Sequence, residues 1–182
     1  MHSRPATGSS STTSRSRCCT FPATPRGHIC LLERERGILY AGDTLLARIT
    51  PNPLLEPTPE DPNVRRRSLI EYMQSLDALE ALELTKVWPG HGAPVLEPAQ
   101  TIRRIKRHHI ERKEEIAALL VRQEDGRSPF ELARAMFRDL EGFDNFLAVS
   151  EVVAHLDLLE EEGRAEPFVR QGVTHYRAPG AA

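Results

Sequence analysis

The sequence predicts a mixed α/β (α+β) fold: a layered strand-and-helix domain followed by a helical domain closed by a hairpin. Three observations carry this. From His28 to Gln123 the apolar segments read strand, strand, helix, strand, helix, the order of a layered α/β core. Glycines precede polar residues at the strand or loop edges, as Gly27-His28, Gly42-Asp43 and Gly90-His91-Gly92. Beyond Gly126 two helical periodicities lead into paired short strands that end near Ala178.

The bulk composition narrows the function classes. The chain has 182 residues, enough for one ordinary domain or two small ones. With 40% hydrophobic and 27% charged residues, its balance is that of a soluble globular protein. A formal net charge of −2 supplies no global field toward nucleic acid or anionic membrane. No apolar run approaches the ~20 residues of a membrane span, so no membrane partner is expected. Three cysteines, two of them adjacent, do not make a disulfide framework. A reducing compartment is expected, cytoplasmic or an organelle matrix.

The elements follow in order. Met1 to Thr20 is rich in Ser, Thr and Arg, and no Asp or Glu occurs before Glu33, so a disordered tail is expected. Cys18, Cys19, His28 and Cys30 fit no usual zinc spacing. His28 to Glu33 and Ile38 to Ala41 read as a hairpin around a charged turn ending in Gly37, with Asp43 directly after the second strand. Cys30, inside an apolar strand, is expected to be a buried thiol. Arg48 to Asn63 holds five prolines and is expected to be a loop bordering a site. Arg65 to Ala81 is an amphipathic helix with Leu69, Met73, Leu76 and Leu79 on one face. Thr85 to Trp88 is a short strand stopped by Pro89 and Gly90, which puts His91 on a loop with glycine on both sides. Pro98 to Gln123 is a long helix facing inward with Ile102, Ile105, Ile116 and Leu119. Adjacent His108 and His109 point to different faces of it, as surface or packing residues. Its basic start is expected to be a solvated face rather than a phosphate patch.

Ser128-Pro129 opens the next helix as N-cap and first turn. A further helix spans about Asn145 to Glu162 and closes at Gly163. Strands at Arg164–Val169 and Val173–Ala178 flank Arg170-Gln171-Gly172 as a hairpin. Three helices and a hairpin are the plan of a winged helix. The helix from Asn145 carries Glu151, Asp157, Glu160, Glu161 and Glu162 and no Lys or Arg. It would repel a phosphate backbone, so duplex DNA is not an expected partner, and the helix should pack against the first domain or face solvent.

His28, Asp43 and His91 are the residues whose types point to chemistry. Neutral imidazole and carboxylate together suit zinc or another first-row ion, and an ion so held makes hydroxide available near neutral pH. The competing reading is a turn aspartate and an unrelated loop histidine. There is no GxxxxGK[ST], GxGxxG or GxSxG, so nucleotide binding and a serine elbow have no support.

Gly27-His28-Ile29-Cys30-Leu31, Leu39-Tyr40-Ala41-Gly42-Asp43-Thr44-Leu45-Leu46 and Val87-Trp88-Pro89-Gly90-His91-Gly92-Ala93-Pro94 together resemble the C-terminal half of the metallo-β-lactamase αββα sandwich. The trailing helices and hairpin resemble the winged-helix extension of the lactamase-β-like hydrolase and ribonuclease branch, close to hydroxyacylglutathione hydrolases. The resemblance implies two zinc ions, with Asp43 bridging them, His91 on the second metal and His28 as a supporting residue. It gives no catalytic residue in this sequence. It divides the chain into a segment 1–25, a metallo-β-lactamase-like domain 26–107 and a winged-helix-like domain 108–179.

The family's His-x-His-x-Asp-His motif is absent, and Thr24 stands where the family has a further histidine ligand. The stretch from Phe21 to Gly27 echoes Pro-Gly-His-Thr-Pro-Gly, and a shifted frame of Ala-Thr-Pro can encode His-Thr. Residues before about Arg26 are therefore expected to be out of frame, truncated or disordered. The expected function is hydrolysis of an ester, thioester or phosphodiester by metal-bound hydroxide, on a small-molecule or RNA substrate. Weak zinc binding, little turnover and poor solubility are expected of this chain alone, and a homodimer is compatible with the pattern. The competing functions are a non-enzymatic winged-helix module that binds nucleic acid or protein, and an inactive fragment.

Overall fold

Four strands make one layer of the fold, in the order β1 (Ser16–Thr20), β2 (Ile29–Glu33), β3 (Ile38–Gly42) and β4 (Lys86–Pro89). The computed structural model describes residues 16–20, 29–58, 60–61, 64–123, 125–138 and 140–180. β1, β2 and β3 run antiparallel, whereas β4 joins β3 in parallel. Strand side chains alternate between faces. Cys30, Leu32, Leu39, Ala41 and Val87 accordingly point into the core, and Ile29, Leu31, Tyr40 and Trp88 point out of it.

Ser16–Thr20 lies in the segment read as disordered or out of frame, yet it pairs residue for residue with β2, Ser16 opposite Glu33 and Thr20 opposite Ile29. An open strand edge offers a row of unpaired N–H and C=O groups, and a short segment without proline can add to it. The rest of 1–25, Thr24 included, and His28 lie outside the described residues.

Helix α1 (Ser68–Glu80) covers the inner face of the sheet. Leu69, Leu76 and Leu79 are fully buried, each contributing roughly 1.5–3 kcal/mol by burial. Tyr72 joins them, its hydroxyl donating to the Thr44 carbonyl at 3.0 Å. The helix starts three residues later than the sequence pattern indicates. Arg65 bridges Pro57 and Arg66 N–H bonds the Glu56 carbonyl at 2.8 Å, so these residues are tied to the proline-rich loop and remain extended.

Helix α2 (Pro98–Val121) runs unbroken through the expected domain boundary at 107/108. Ile102 and Ile105 belong to the core under the sheet, whereas Ile116, Ala117 and Leu120 belong to a second core. That core is completed by α3 (Pro129–Met136), α4 (Phe143–Glu161) and the hairpin of β5 (Glu166–Arg170) and β6 (Val173–Arg177). Ser128 caps α3 through a reciprocal pair with Glu131, as the sequence indicates. Gln171 and Gly172 both have positive φ, 52° and 77°, the signature of a tight hairpin turn. α4 packs against both cores: Ala154 joins the first, and Val152, Leu156 and Leu159 the second. Two of its acidic residues are engaged rather than solvated. Asp157 is buried against Arg65 in a two-bond ion pair, and Glu160 pairs with Arg67 at 2.8 Å. The expectation that this helix packs against the first domain is met.

Candidate functional site

Parallel pairing brings the two chemically marked loops together. β3 and β4 end at the same edge, with Gly42 opposite Pro89, so the residues that follow each strand emerge side by side. Gly42 turns the chain with φ 51°, and Thr44 N–H closes the turn onto the Ala41 carbonyl at 3.0 Å. Across the gap, Gly90 N–H donates to the Gly42 carbonyl at 2.7 Å. A Cβ on Gly90 would stand 3.0 Å from Asp43 Oδ1 and 3.3 Å from the Gly42 carbonyl carbon. Glycine is therefore what lets the loops approach.

The result is a direct contact: His91 Nδ1 lies 2.7 Å from Asp43 Oδ1. The sequence places these residues 48 positions apart and links them only by resemblance. Both side chains are open to solvent, His91 at 81% and Asp43 at 43% exposure. A carboxylate on one imidazole nitrogen fixes the ring and leaves the other nitrogen for a ligand. A groove of about 360 Å³ runs beside the pair, lined by Leu46, Arg48, Ile49 and His91 among others. Its mixture of apolar side chains and one guanidinium suits a substrate with an apolar body and an anionic or polarised group.

As a metal site this pair has the right donors in insufficient number. Imidazole nitrogen and carboxylate oxygen suit zinc, but stable sites use three or four protein ligands. Among the described residues, Asp43 and His91 belong to no group of three suitably close donors.

A group that the sequence pattern did not mark lies deeper. His109 is fully buried in α2, with His155 of α4 3.2 Å away and the Tyr72 ring edge-on to it at 5.9 Å between centroids. Burial pushes His109 down to about 3 and His155 down to about 4, so both rings are neutral at pH 7. Burial raises Glu151 above the usual carboxylate range. The signal that marks His109 is its position four residues after Ile105 and seven before Ile116, on the stripe that faces the core.

The comparisons with known proteins point one way. No family model matches the chain. It is 33% identical over 142 residues to the probable metallo-hydrolase YqjP of Bacillus subtilis (strain 168), covering 78% of this chain and 44% of that protein. It is 26% identical over 144 residues to the beta-lactamase-like protein 2 homolog of Drosophila melanogaster, covering 79% of this chain and again 44% of that protein. A crystal structure of a metallo-beta-lactamase family protein from Thermus thermophilus superposes with a TM-score of 0.72 at 29% identity, over 91% of this chain and 50% of that one. A beta-lactamase domain protein from Burkholderia ambifaria gives a TM-score of 0.74 at 26% identity, over 90% and 47%. The chain thus has homologues of the metallo-β-lactamase fold along most of its length, and spans under half the length of these two curated relatives.

Proposed function

We propose that this chain is the part of a metal-dependent hydrolase of the metallo-β-lactamase superfamily that contributes Asp43 and His91 to a two-zinc centre. The observation that carries the reading is the 2.7 Å contact between these residues at the shared end of β3 and β4. The likeness to a probable metallo-hydrolase supports it. Zinc, when bound by a full ligand set, supplies a hydroxide nucleophile near neutral pH and polarises the substrate. The chain's own residues orient and position: Gly90 sets the loop separation, Asp43 holds the His91 ring, and Arg48 draws an anionic substrate into the adjoining groove. Esters, thioesters and phosphodiesters all fit that chemistry, on a small molecule or an RNA. His28 remains a supporting residue in this reading.

The three helices and hairpin are read as a winged-helix extension. As a DNA-binding module it lacks a reading helix, since α4 is buried for most of its length and its Asp157 and Glu160 are engaged by Arg65 and Arg67. No described helix is long and apolar enough to cross a membrane.

The test follows the His91 ring resonances during titration of the full chain with zinc. Weak binding that shifts these resonances, and loses at least tenfold in affinity in Asp43→Ala, is the expected result. Adding a segment that carries His-x-His-x-Asp-His should tighten binding and produce turnover. His91 resonances indifferent to zinc in the completed protein would reject the reading.

A further inference from the structure

The buried histidines between α2 and α4 are more than packing. His155 Nδ1 lies 2.7 Å from the Glu151 backbone carbonyl, which only accepts, so Nδ1 carries the proton. In a neutral ring His155 Nε2 is then an acceptor, and His109 Nδ1, 3.2 Å away, must be its donor. That leaves His109 Nε2 as a bare lone pair. It is buried and has no hydrogen-bond partner among the described residues. An orphaned acceptor of this kind costs roughly 1–3 kcal/mol in a structure that otherwise satisfies its buried polar groups.

Two further donors lie near the His109 ring. One ligand atom from each of His108, His109 and Glu151 lies within 4.8 Å of the other two. We propose that His108, His109 and Glu151 form a second metal site, selective for zinc or a similar first-row divalent cation, that clamps α2 to α4. Two imidazoles and one carboxylate are a common ligand set for such ions, with an open position left for water. Metal–ligand bonds of ~2.0–2.2 Å set the donors roughly 3.3–3.6 Å apart, so donors standing as much as 4.8 Å apart close by up to about 1.5 Å. His108 is half-buried, and the Glu151 side chain keeps 12% exposure.

The nearby positive charge is offset. Arg112 holds Glu115 at 2.9 Å and lies over the Phe137 ring, 5.0 Å from its centroid. The site also touches the Asp43 turn. The Tyr72 ring packs edge-on against His109 while its hydroxyl holds the Thr44 carbonyl. A cation here braces the residue next to Asp43 without joining the Asp43–His91 site, so the inference is independent of the hydrolase reading.

The experiment titrates the full, metal-stripped chain with cobalt(II), reading the visible d–d bands and the thermal midpoint. In an Asp43→Ala/His91→Ala background we expect one equivalent to bind with bands of low-coordinate cobalt and to raise the midpoint. His108→Ala, which removes a partly exposed ring, should abolish the bands. Glu151→Gln should weaken binding at least tenfold. Both variants keep their metal-free midpoint near that of the parent, which separates ligand loss from unfolding. Absence of cobalt uptake by the double variant, or uptake that survives His108→Ala and Glu151→Gln, would overturn the proposal. Neither result bears on the His91 resonances, so this idea and the hydrolase reading fail separately.

Discussion

Gly90 does more for the Asp43–His91 contact than either glycine of the preceding hairpin. Its Cβ position is filled on one side by Asp43 Oδ1 at 3.0 Å and on the other by Gly42 backbone. Gly90→Ala must push the loops apart by a few tenths of an ångström, lengthening the 2.7 Å contact. The expected outcome is a loss of zinc affinity with little change in thermal midpoint, read by the same His91 titration. Unchanged affinity would remove Gly90 from the site. The sequence pattern expects Gly42→Val to crowd the turn and misplace Asp43, harming metal binding more than Gly37→Ala. The steric picture at the two positions differs. A Cβ on Gly42 meets nothing within 4 Å and is opposed only by its φ of 51°, whereas one on Gly37 would stand 2.8 Å from the Glu83 carbonyl oxygen. Proximity of that kind depends on which loop folds over which turn, and a linear sequence does not record it. Asp43 and His91 were legible because glycine and proline mark their turns. His109 was harder to see, because a histidine on an apolar stripe looks the same whether its second nitrogen is satisfied or bare.

Helix α4 shows what periodicity conveys and what it omits. Its apolar residues indicated a wide buried face, and the helix is indeed buried on most sides. Its acidic residues read as repelling a phosphate backbone, and Asp157 meets Arg65 from a stretch the pattern had assigned to the start of α1. The histidine cluster it shares with α2 makes stability depend on pH in the metal-free protein. His109 and His155 sit below their ordinary value of 6.5, at about 3 and about 4, because burial penalises the charged ring. Their environment on the facing elements is Tyr72 of α1, His108, Arg112 and Lys113 of α2, and Glu151 of α4. The unfolded chain therefore takes up protons below pH 6.5 that the folded chain refuses, and stability is lost as pH falls from 6.5 toward 4. At pH 5 the loss is on the order of 2 kcal/mol per buried ring. Glu151, raised by burial, acts oppositely: its contribution is full below 4.5 and fades as pH rises through its folded value. The net expectation is a denaturant midpoint that drops between pH 7 and pH 5 with chelator present, and drops less in His155→Gln. A flat midpoint over that range would show that the rings are not held neutral.

Among the described residues, the sheet is covered on one face and exposed on the other. Beneath the sheet, α1, α2 and α4 seal a core that includes Leu39, Val87, Leu76, Ile105 and Ala154. On the outer face a single row crosses three strands, since Leu31 pairs with Tyr40 and Tyr40 with Trp88. These side chains are 45%, 45% and 41% exposed, and Ile29 adds 55% beside them. Lys86 covers part of Trp88, its ammonium 4.0 Å from the ring centroid, and so moderates the patch without closing it. Contiguous apolar surface of this kind marks an interface or an aggregation site. The poor solubility expected of this chain alone would follow from such a face. Self-association through this row is the expected behaviour of the chain in solution. Leu31→Thr together with Tyr40→Thr keeps residues that favour strands while removing the adjacent apolar pair. Sedimentation over a range of concentrations should then show association weakened at least several-fold, with the thermal midpoint moved little because neither side chain enters the core. Association undiminished in the double variant would mean that the chain meets its copies through another surface.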